Sequence, residues 1–186
     1  GTKDWTRLLG SSSTLPVTGK ALTTGSDGSI YIAGYTSGDL DGQTITGNND
    51  AFISKYNPDG TKDWTRLLGS SSTLPVVGNA LTTGSDGSIY IAGYTSGDLD
   101  GQTITGNNDA FISKYNPDGT KDWTRLLGSS STLPVVGNAL TTGSDGSIYI
   151  AGYTSGDLDG QTITGNNDAF ISKYNPDGTQ KIGPDF

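Results

Sequence analysis

The chain has 186 residues, and 19 acidic against 11 basic side chains give it a net charge of −8. Cys and His are both absent, which excludes disulfides, thiolate nucleophiles and an imidazole general base. The acidic balance argues against nucleic acid and anionic membranes as partners, and the short apolar runs predict neither a membrane span nor a signal peptide.

One sequence phrase recurs along the whole chain. Tryptophan stands at positions 5, 64 and 123, a spacing of 59 residues, and a repeat of this kind decides the architecture. The first two copies differ only where Thr18 and Lys20 replace the Val77 and Asn79 of the second copy. This near-identity indicates either a recent amplification or deliberate design.

Four strands are predicted in each repeat, and the chain begins at the last of them. The opening "TKDWTRLL" carries Lys, Asp and Arg and is typical of an edge strand protected by charge, here called strand d. Strand a, "ALTT", begins at Ala21, Ala80 and Ala139. The Asp-Gly pair that follows each strand a is a tight-hairpin signal.

Strand b, "SIYIAGYT", begins at Ser88 in the second repeat and is apolar on both faces. Ile89 and Ile91 alternate with Tyr90 and Ala92, the pattern of an inner strand buried between two layers. Strand c, "DAFISKY", has a similar pattern. The "NPDG" turn after it, with Pro at the first central position and Gly at a positive φ, returns the chain to strand d.

An antiparallel sheet of four strands that repeats and is apolar on both faces is one blade of a β-propeller. We therefore predict an all-β fold with four-stranded antiparallel blades, three per chain, in a ring completed by oligomerisation. The predicted units are a donated outer strand (residues 1–9), blade repeats at 10–68 and 69–127, a third repeat at 128–179 without its outer strand, and a divergent tail at 180–186.

The motifs also resemble a known family. "DAFISKYNPDGTKDWTRLLG", followed by "ALTTGSDGSIYIAGYTSGDLDGQT", is similar to the bacterial β-propeller repeat family over nearly the whole chain. The resemblance implies a repeat module of a large bacterial surface or secreted protein, and it supplies no catalytic residues. The "STLPVVGNA" segment departs from the polar, aromatic-containing stretch that is typical of the family.

The two ends of the chain complement each other, because the first strand d has no blade and the third blade has no strand d. One chain would close only a three-bladed ring, whereas propellers typically contain four to eight blades. We expect a homodimer with six blades, with a homotrimer of nine blades as the alternative. The residues expected to close the ring are Trp5, Leu8, Leu9, Phe170 and Tyr174.

The two longer connections, b–c and d–a, are predicted on one face of the ring, where binding residues commonly lie. The b–c loop is rich in Asp, whose oxygen atoms suit Ca²⁺, although Asp is also a common turn former. The calcium candidates are Asp39, Asp41, Asp50, Asp98, Asp100, Asp109, Asp157, Asp159 and Asp168.

No paired acid and base stand out, so the sequence predicts no enzyme and, calcium aside, no cofactor. The predicted function is a non-catalytic structural scaffold, a self-assembling symmetric propeller of identical blades. The alternative is a binding module that uses the long-loop face or the central channel for a glycan, a peptide or calcium.

Overall fold

A computed structural model describes residues 1–180 as eleven β-strands in three sheets. The predicted tail is therefore described only at Gln180. The described part contains no helix that could span a membrane. The strands are β1 (Val17–Thr24), β2 (Ile30–Thr36), β3 (Asp50–Tyr56), β4 (Lys62–Leu68), β5 (Val76–Thr83), β6 (Ile89–Thr95), β7 (Asp109–Tyr115), β8 (Lys121–Leu127), β9 (Val135–Thr142), β10 (Ile148–Thr154) and β11 (Asp168–Tyr174).

Each sheet follows chain order and is antiparallel throughout. The first two blades contain four strands, β1 to β4 and β5 to β8, and within residues 1–180 the third contains β9, β10 and β11. The prediction of an all-β fold with three antiparallel blades per chain is confirmed.

Strand a begins earlier than the sequence predicts. Instead of starting at Ala80, β5 starts at Val76, so the end of "STLPVVGNA" belongs to the strand rather than to the loop. Val76 and Val77 are buried opposite the end of β6, and the register shifts between Gly78 and Ala80. This bulge interrupts the two-residue alternation from which a strand is recognised. The sequence pattern therefore does not reveal the first residues of β5.

The core lies between the blades rather than within a single sheet. Ile89, Tyr90, Ile91 and Ala92 are all buried, which confirms that strand b is covered on both faces. One apolar cluster joins side chains of the first and second blades, and another joins those of the second and third. Each blade therefore depends on its neighbours for burial.

The first strand of each blade is also the innermost. β1 packs against β5 and β5 against β9, which brings the three together near the axis around which the blades are arranged. The Thr83 hydroxyl donates a hydrogen bond to the carbonyl of Thr24 (3.0 Å), and Thr142 donates to Thr83 in the same way (3.0 Å). β4 and β8 consequently form the outer edges.

The long b–c loop is anchored in the core by one leucine. Leu99 is fully buried and exchanges two backbone hydrogen bonds of 3.0 Å with Gln102. Asp100 and Gly101, between them, both have positive φ (50° and 74°) and form a tight hairpin. Leu40 and Leu158 occupy the same position in the other repeats.

We expect Leu99→Ala to lower the free energy of unfolding by about 2–5 kcal/mol, because it leaves a cavity beneath the loop. Leu133→Ala is the matched control: Leu133 lies in the d–a loop with much of its side chain in solvent. Truncating the Leu133 side chain should lower the free energy of unfolding by no more than about 0.5 kcal/mol. Equilibrium urea unfolding measures both, and equal losses would contradict a core role for Leu99.

Candidate functional site

The contact between successive blades is a repeated seat, formed by a Trp and an Arg of strand d on the "NPDG" turn of the next blade. Trp64 Nε1 donates a hydrogen bond to the Pro117 carbonyl (3.3 Å), and Arg66 Nε donates to the Gly119 carbonyl (2.9 Å). The Arg66 guanidinium also lies 5.3 Å from the centre of the Trp64 ring, a cation–π distance. We call this arrangement the Trp–Arg seat.

The seat requires glycine at the turn. Gly119 is buried beneath the Trp64 ring with a φ of 80°, and an added Cβ would lie 3.0 Å from two atoms of that ring. On its other side, Trp64 packs at a tilt against Tyr31, with 6.0 Å between ring centres. Trp64 therefore packs between its own blade and the next. Its ring is not an open surface on which a sugar could stack.

The N-terminal segment makes the same seat on the first blade. Trp5 Nε1 donates to the Pro58 carbonyl (3.2 Å), and Arg7 Nε donates to the Gly60 carbonyl (2.8 Å). Residues 1–9 belong to none of the strands assigned within the described part of the chain. They nevertheless lie where strand d of a preceding blade would lie.

Within residues 1–180, the third blade ends at β11, whose outer side carries a single bridge between Tyr174 and Gln180. β11 is the last strand of its sheet, and Ile171 on it is 73% exposed, whereas the equivalent Ile112 is 1% exposed. A groove of about 360 Å³ runs beside this edge, lined in part by Leu158, Ile163 and Phe170. It lies where strand d lies in the complete blades.

The first blade exposes the opposite surface. Leu22 is 66% exposed, whereas the equivalent Leu81 is 8% exposed because the first blade covers it. A cavity of about 220 Å³ lies here between the blade and the N-terminal segment, with Trp5, Leu8 and Leu9 on its wall.

The residues predicted to close the ring therefore divide between the two ends. Trp5 and Leu9 are half-buried and Leu8 is 95% exposed at the first blade, while Phe170 is half-buried and Tyr174 buried at the third. Burial raises the pKa of Tyr174. Within one chain these two groups lie on the first and last of the three blades, and their closure stays a prediction.

The nine aspartates proposed as calcium ligands serve separate turns. The first of each loop accepts a backbone N–H six residues on, at 3.1 Å: Asp39 from Ile45, Asp98 from Ile104 and Asp157 from Ile163. The second contacts the start of strand d in the first two repeats: Asp41 contacts Lys62 and Thr65, and Asp100 contacts Lys121 and Thr124. In the third repeat Asp159 contacts Gln180.

The third aspartate of each loop caps the residues just before strand c. Asp50 accepts from the Thr46 and Gly47 N–H groups at 2.9 and 3.1 Å, and Asp109 and Asp168 repeat the arrangement. The N–H groups of Thr164 and Gly165 lower the pKa of Asp168. Among residues 1–180 no three acidic side chains are grouped closely enough to hold a metal ion. Calcium binding remains an untested prediction.

The arginines of the seat and the glycine beneath the tryptophan were not predicted from the sequence. Arg66 and Gly119 are separated by 53 residues, so neither the strand alternation nor the turn chemistry connects them. A signal was nevertheless present, because the Trp-x-Arg and "NPDG" motifs recur in the same order at a fixed period.

Comparison with known proteins agrees with this architecture. A sequence profile described as "Beta-propeller repeat" matches residues 4–41, 63–100 and 122–159. A second, described as "Domain of unknown function (DUF5122) beta-propeller", matches residues 25–65, 84–124 and 143–180. The blades and both profiles define a β-propeller protein. The chain belongs to the Beta-propeller repeat family.

Two individual proteins are similar over most of the chain. The regulatory protein FlaEY of Caulobacter vibrioides is 32% identical over 185 residues, and the match covers 86% of this chain but 19% of FlaEY. The Hadza microbial sialidase Hz136 superposes with a TM-score of 0.58 at 14% identity, over 86% of this chain and 35% of that one. At this identity the likeness to the sialidase shows the fold alone.

We expect Gly119→Ala to destabilise the protein more than Gly101→Ala. Both glycines have positive φ, which costs another residue about 1–2 kcal/mol, but Gly101 has no neighbouring atom within 4 Å of an added Cβ. We expect Gly119→Ala to lower the free energy of unfolding by about 1–3 kcal/mol more than Gly101→Ala does, because the added methyl group displaces Trp64. Urea unfolding compares the two variants, and equal losses would mean that the Trp–Arg seat adjusts without cost.

Acid should destabilise the fold through its turn aspartates. The Ser147 backbone N–H and hydroxyl, together with Lys173, lower the pKa of Asp145 to about 2. The hydroxyl and backbone N–H of the following threonine lower the pKa of Asp59, Asp118 and Asp177. A lowered pKa in the folded state stabilises the protein above the ordinary value of 3.8 and loses this effect as the pH falls through the folded value.

The melting temperature should therefore fall between pH 4 and pH 2, as circular dichroism can measure. Replacing Asp59, Asp118 and Asp177 by Asn keeps an oxygen acceptor in each turn but removes the titration. This variant should lose less stability over the same interval. A melting temperature that stays constant down to pH 2 would contradict the assignment.

Proposed function

We propose that this chain is a non-catalytic structural scaffold: a symmetric propeller that assembles itself from identical blades, three from each of two copies. The position of Trp5 and Arg7 carries the proposal, because they occupy on the first blade the seat that strand d occupies between complete blades. At the far end, β11 has the same sequence as the strands that pair with strand d in the other blades.

Apolar exposure at the two ends supports a second copy as the partner. The surfaces around Leu22 and Ile171 are covered at the equivalent positions of the second blade, Leu81 and Ile112, and leaving them in water costs roughly 25 cal/mol per Å². A head-to-tail contact between two copies covers both surfaces at once. It also gives six blades, within the usual range of four to eight.

The non-catalytic part of the proposal is supported by the engagement of the loop carboxylates. Asp39 and Asp50 accept backbone N–H groups of their own loop, and Asp41 contacts Lys62 and Thr65. Carboxylates that are hydrogen-bonded within turns in this way stabilise the fold. The sequence also contains neither His, the commonest general base, nor Cys, the source of a thiolate nucleophile.

Native mass spectrometry tests the assembly. We expect a mass of two chains, and Leu8→Asp should shift the population to single chains. Leu8 is 95% exposed in one chain, whereas the equivalent Leu126 packs against the core between the first two blades, so the charge would disturb only the closed ring. Leu133→Asp, at an exposed loop position, is the control and should leave the dimer intact.

A monomer as the main species of the unmodified chain would overturn the proposed scaffold. A trimer would overturn the six-bladed ring in favour of nine blades.

A further inference from the structure

We propose that the ring closes in a single register, in which residues 3–9 of a second copy add to β11 as its fourth strand. In this register the arriving strand displaces two contacts that the third blade otherwise makes with itself. The inference rests on the proposed self-assembly, and it adds the residue pairing and an exchange of partners.

The complete blades supply the template for the pairing. In the first blade Ser54 lies opposite Thr65, with their side-chain oxygens 2.7 Å apart, and Ala51 lies opposite Leu68. The second blade repeats both pairs, again with 2.7 Å between hydroxyl oxygens. Because the "DAFISKY" and "KDWTRLL" segments are identical in all copies, Ser172 should meet Thr6 of the second copy.

The first exchange concerns a lysine of strand c. Lys55 pairs with Asp63 and Lys114 with Asp122, each at 3.2 Å across to strand d. In the third blade, whose described residues contain no such strand, Lys173 instead pairs with Asp145 of the a–b turn at 3.2 Å. Asp4 of the second copy has the position of Asp63, so closure should move Lys173 to it.

The second exchange concerns the aspartate at the b–c hairpin. Asp100 contacts Lys121 and Thr124 of strand d, whereas Asp159 contacts Gln180. Gln180 also bridges to Tyr174 as Lys121 pairs with Tyr115, so it holds the first pairing position of the missing strand.

Lys3 of the second copy would take that position. Its ammonium group would replace the neutral amide and form an ion pair with the carboxylate of Asp159. Thr6 of the second copy would supply the hydroxyl contact that Thr124 makes to Asp100. Gln180 therefore has to leave for the ring to close.

A separate contact on the long-loop face points to the same register. The Val76 N–H donates to the carbonyl of Asn49 in the preceding blade, and Val135 donates to Asn108, both at 2.9 Å. The corresponding pair across the closing contact is Val17 of the second copy with Asn167. The Val17 donor lies on strand a rather than on strand d. The pairing of strand d and this bond to the b–c loop would therefore fix the same alignment of the two copies.

A displaced register conflicts with the chemistry of the edge. A shift of one residue would reverse the two faces of the strand and turn its apolar side chains to the wrong blade. A shift of two residues keeps the faces but brings either Asp4 or Leu8 opposite Ser172. The equivalent Ser54 and Ser113 are buried. Placing Asp4 opposite Ser172 would therefore bury its carboxylate away from Lys173.

Disulfide trapping tests the register in a chain with no other Cys. Thr6→Cys with Ser172→Cys should give a covalent dimer on a non-reducing gel after mild oxidation, since cross-strand partners lie within bonding distance. Ser54→Cys with Thr65→Cys is the positive control and should close within one chain. Leu8→Cys with Ser172→Cys reports the two-residue shift and should stay largely monomeric.

The outcomes separate this inference from the proposed function. A native dimer that is trapped by the Leu8–Ser172 pair instead of the Thr6–Ser172 pair would overturn the register and leave self-assembly intact. A native monomer whose Thr6–Ser172 disulfide forms within one chain would overturn self-assembly. A covalent trimer would support the register and overturn the six-bladed ring.

Discussion

Burial of both faces of the central strands is the constraint on which the other features of this structure depend. Tyr90 and Ile91 are neighbours in one strand and point to opposite sides, yet both are buried because one side packs on the preceding blade and the other on the following blade. No single blade can satisfy this requirement, so stability resides in the contacts between repeats, as in other repeat proteins. A row of blades then has two unsatisfied ends, and a closed ring has none.

The Trp–Arg seat gives this packing a fixed geometry. Trp64 and Arg66 bond to carbonyl groups of the next blade's turn, and only glycine leaves room for the indole ring there. Between the second and third blades Arg125 repeats the bond to the turn carbonyl of Gly178 (2.9 Å), while the indole N–H of Trp123 is buried without a partner among residues 1–180, so the arginine and the glycine are the constant part of the seat. Trp5 and Arg7 make this seat although residues 1–9 form no assigned strand, so the contact does not require strand pairing.

Much of this could be predicted from the sequence, because the strands carry regular alternation and the turns carry Asp-Gly and Pro-Asp-Gly signals. The start of strand a could not, since the bulge before Ala80 breaks the alternation. The pairing of Lys173 could not either: it has the same sequence neighbours as Lys55 but bonds to a different aspartate. The difference arises because the described part of the third blade has no fourth strand, which the residues around Lys173 do not indicate.

The few differences between the repeats follow from the same constraint. Lys20 replaces an asparagine on the innermost strand, where the equivalent Asn79 donates a hydrogen bond to the Gly137 carbonyl (3.0 Å). The Lys20 ammonium instead lies 5.8 Å from the centre of the Tyr35 ring, a cation–π contact within its own blade. This position belongs neither to the apolar clusters between blades nor to the Trp–Arg seat. A change here alters the lining near the axis and one hydrogen bond between blades but leaves the apolar clusters and the Trp–Arg seat intact, so one repeat alone can accept it. A change at Tyr90, Trp64 or Gly119 would have to be accommodated by two blades together.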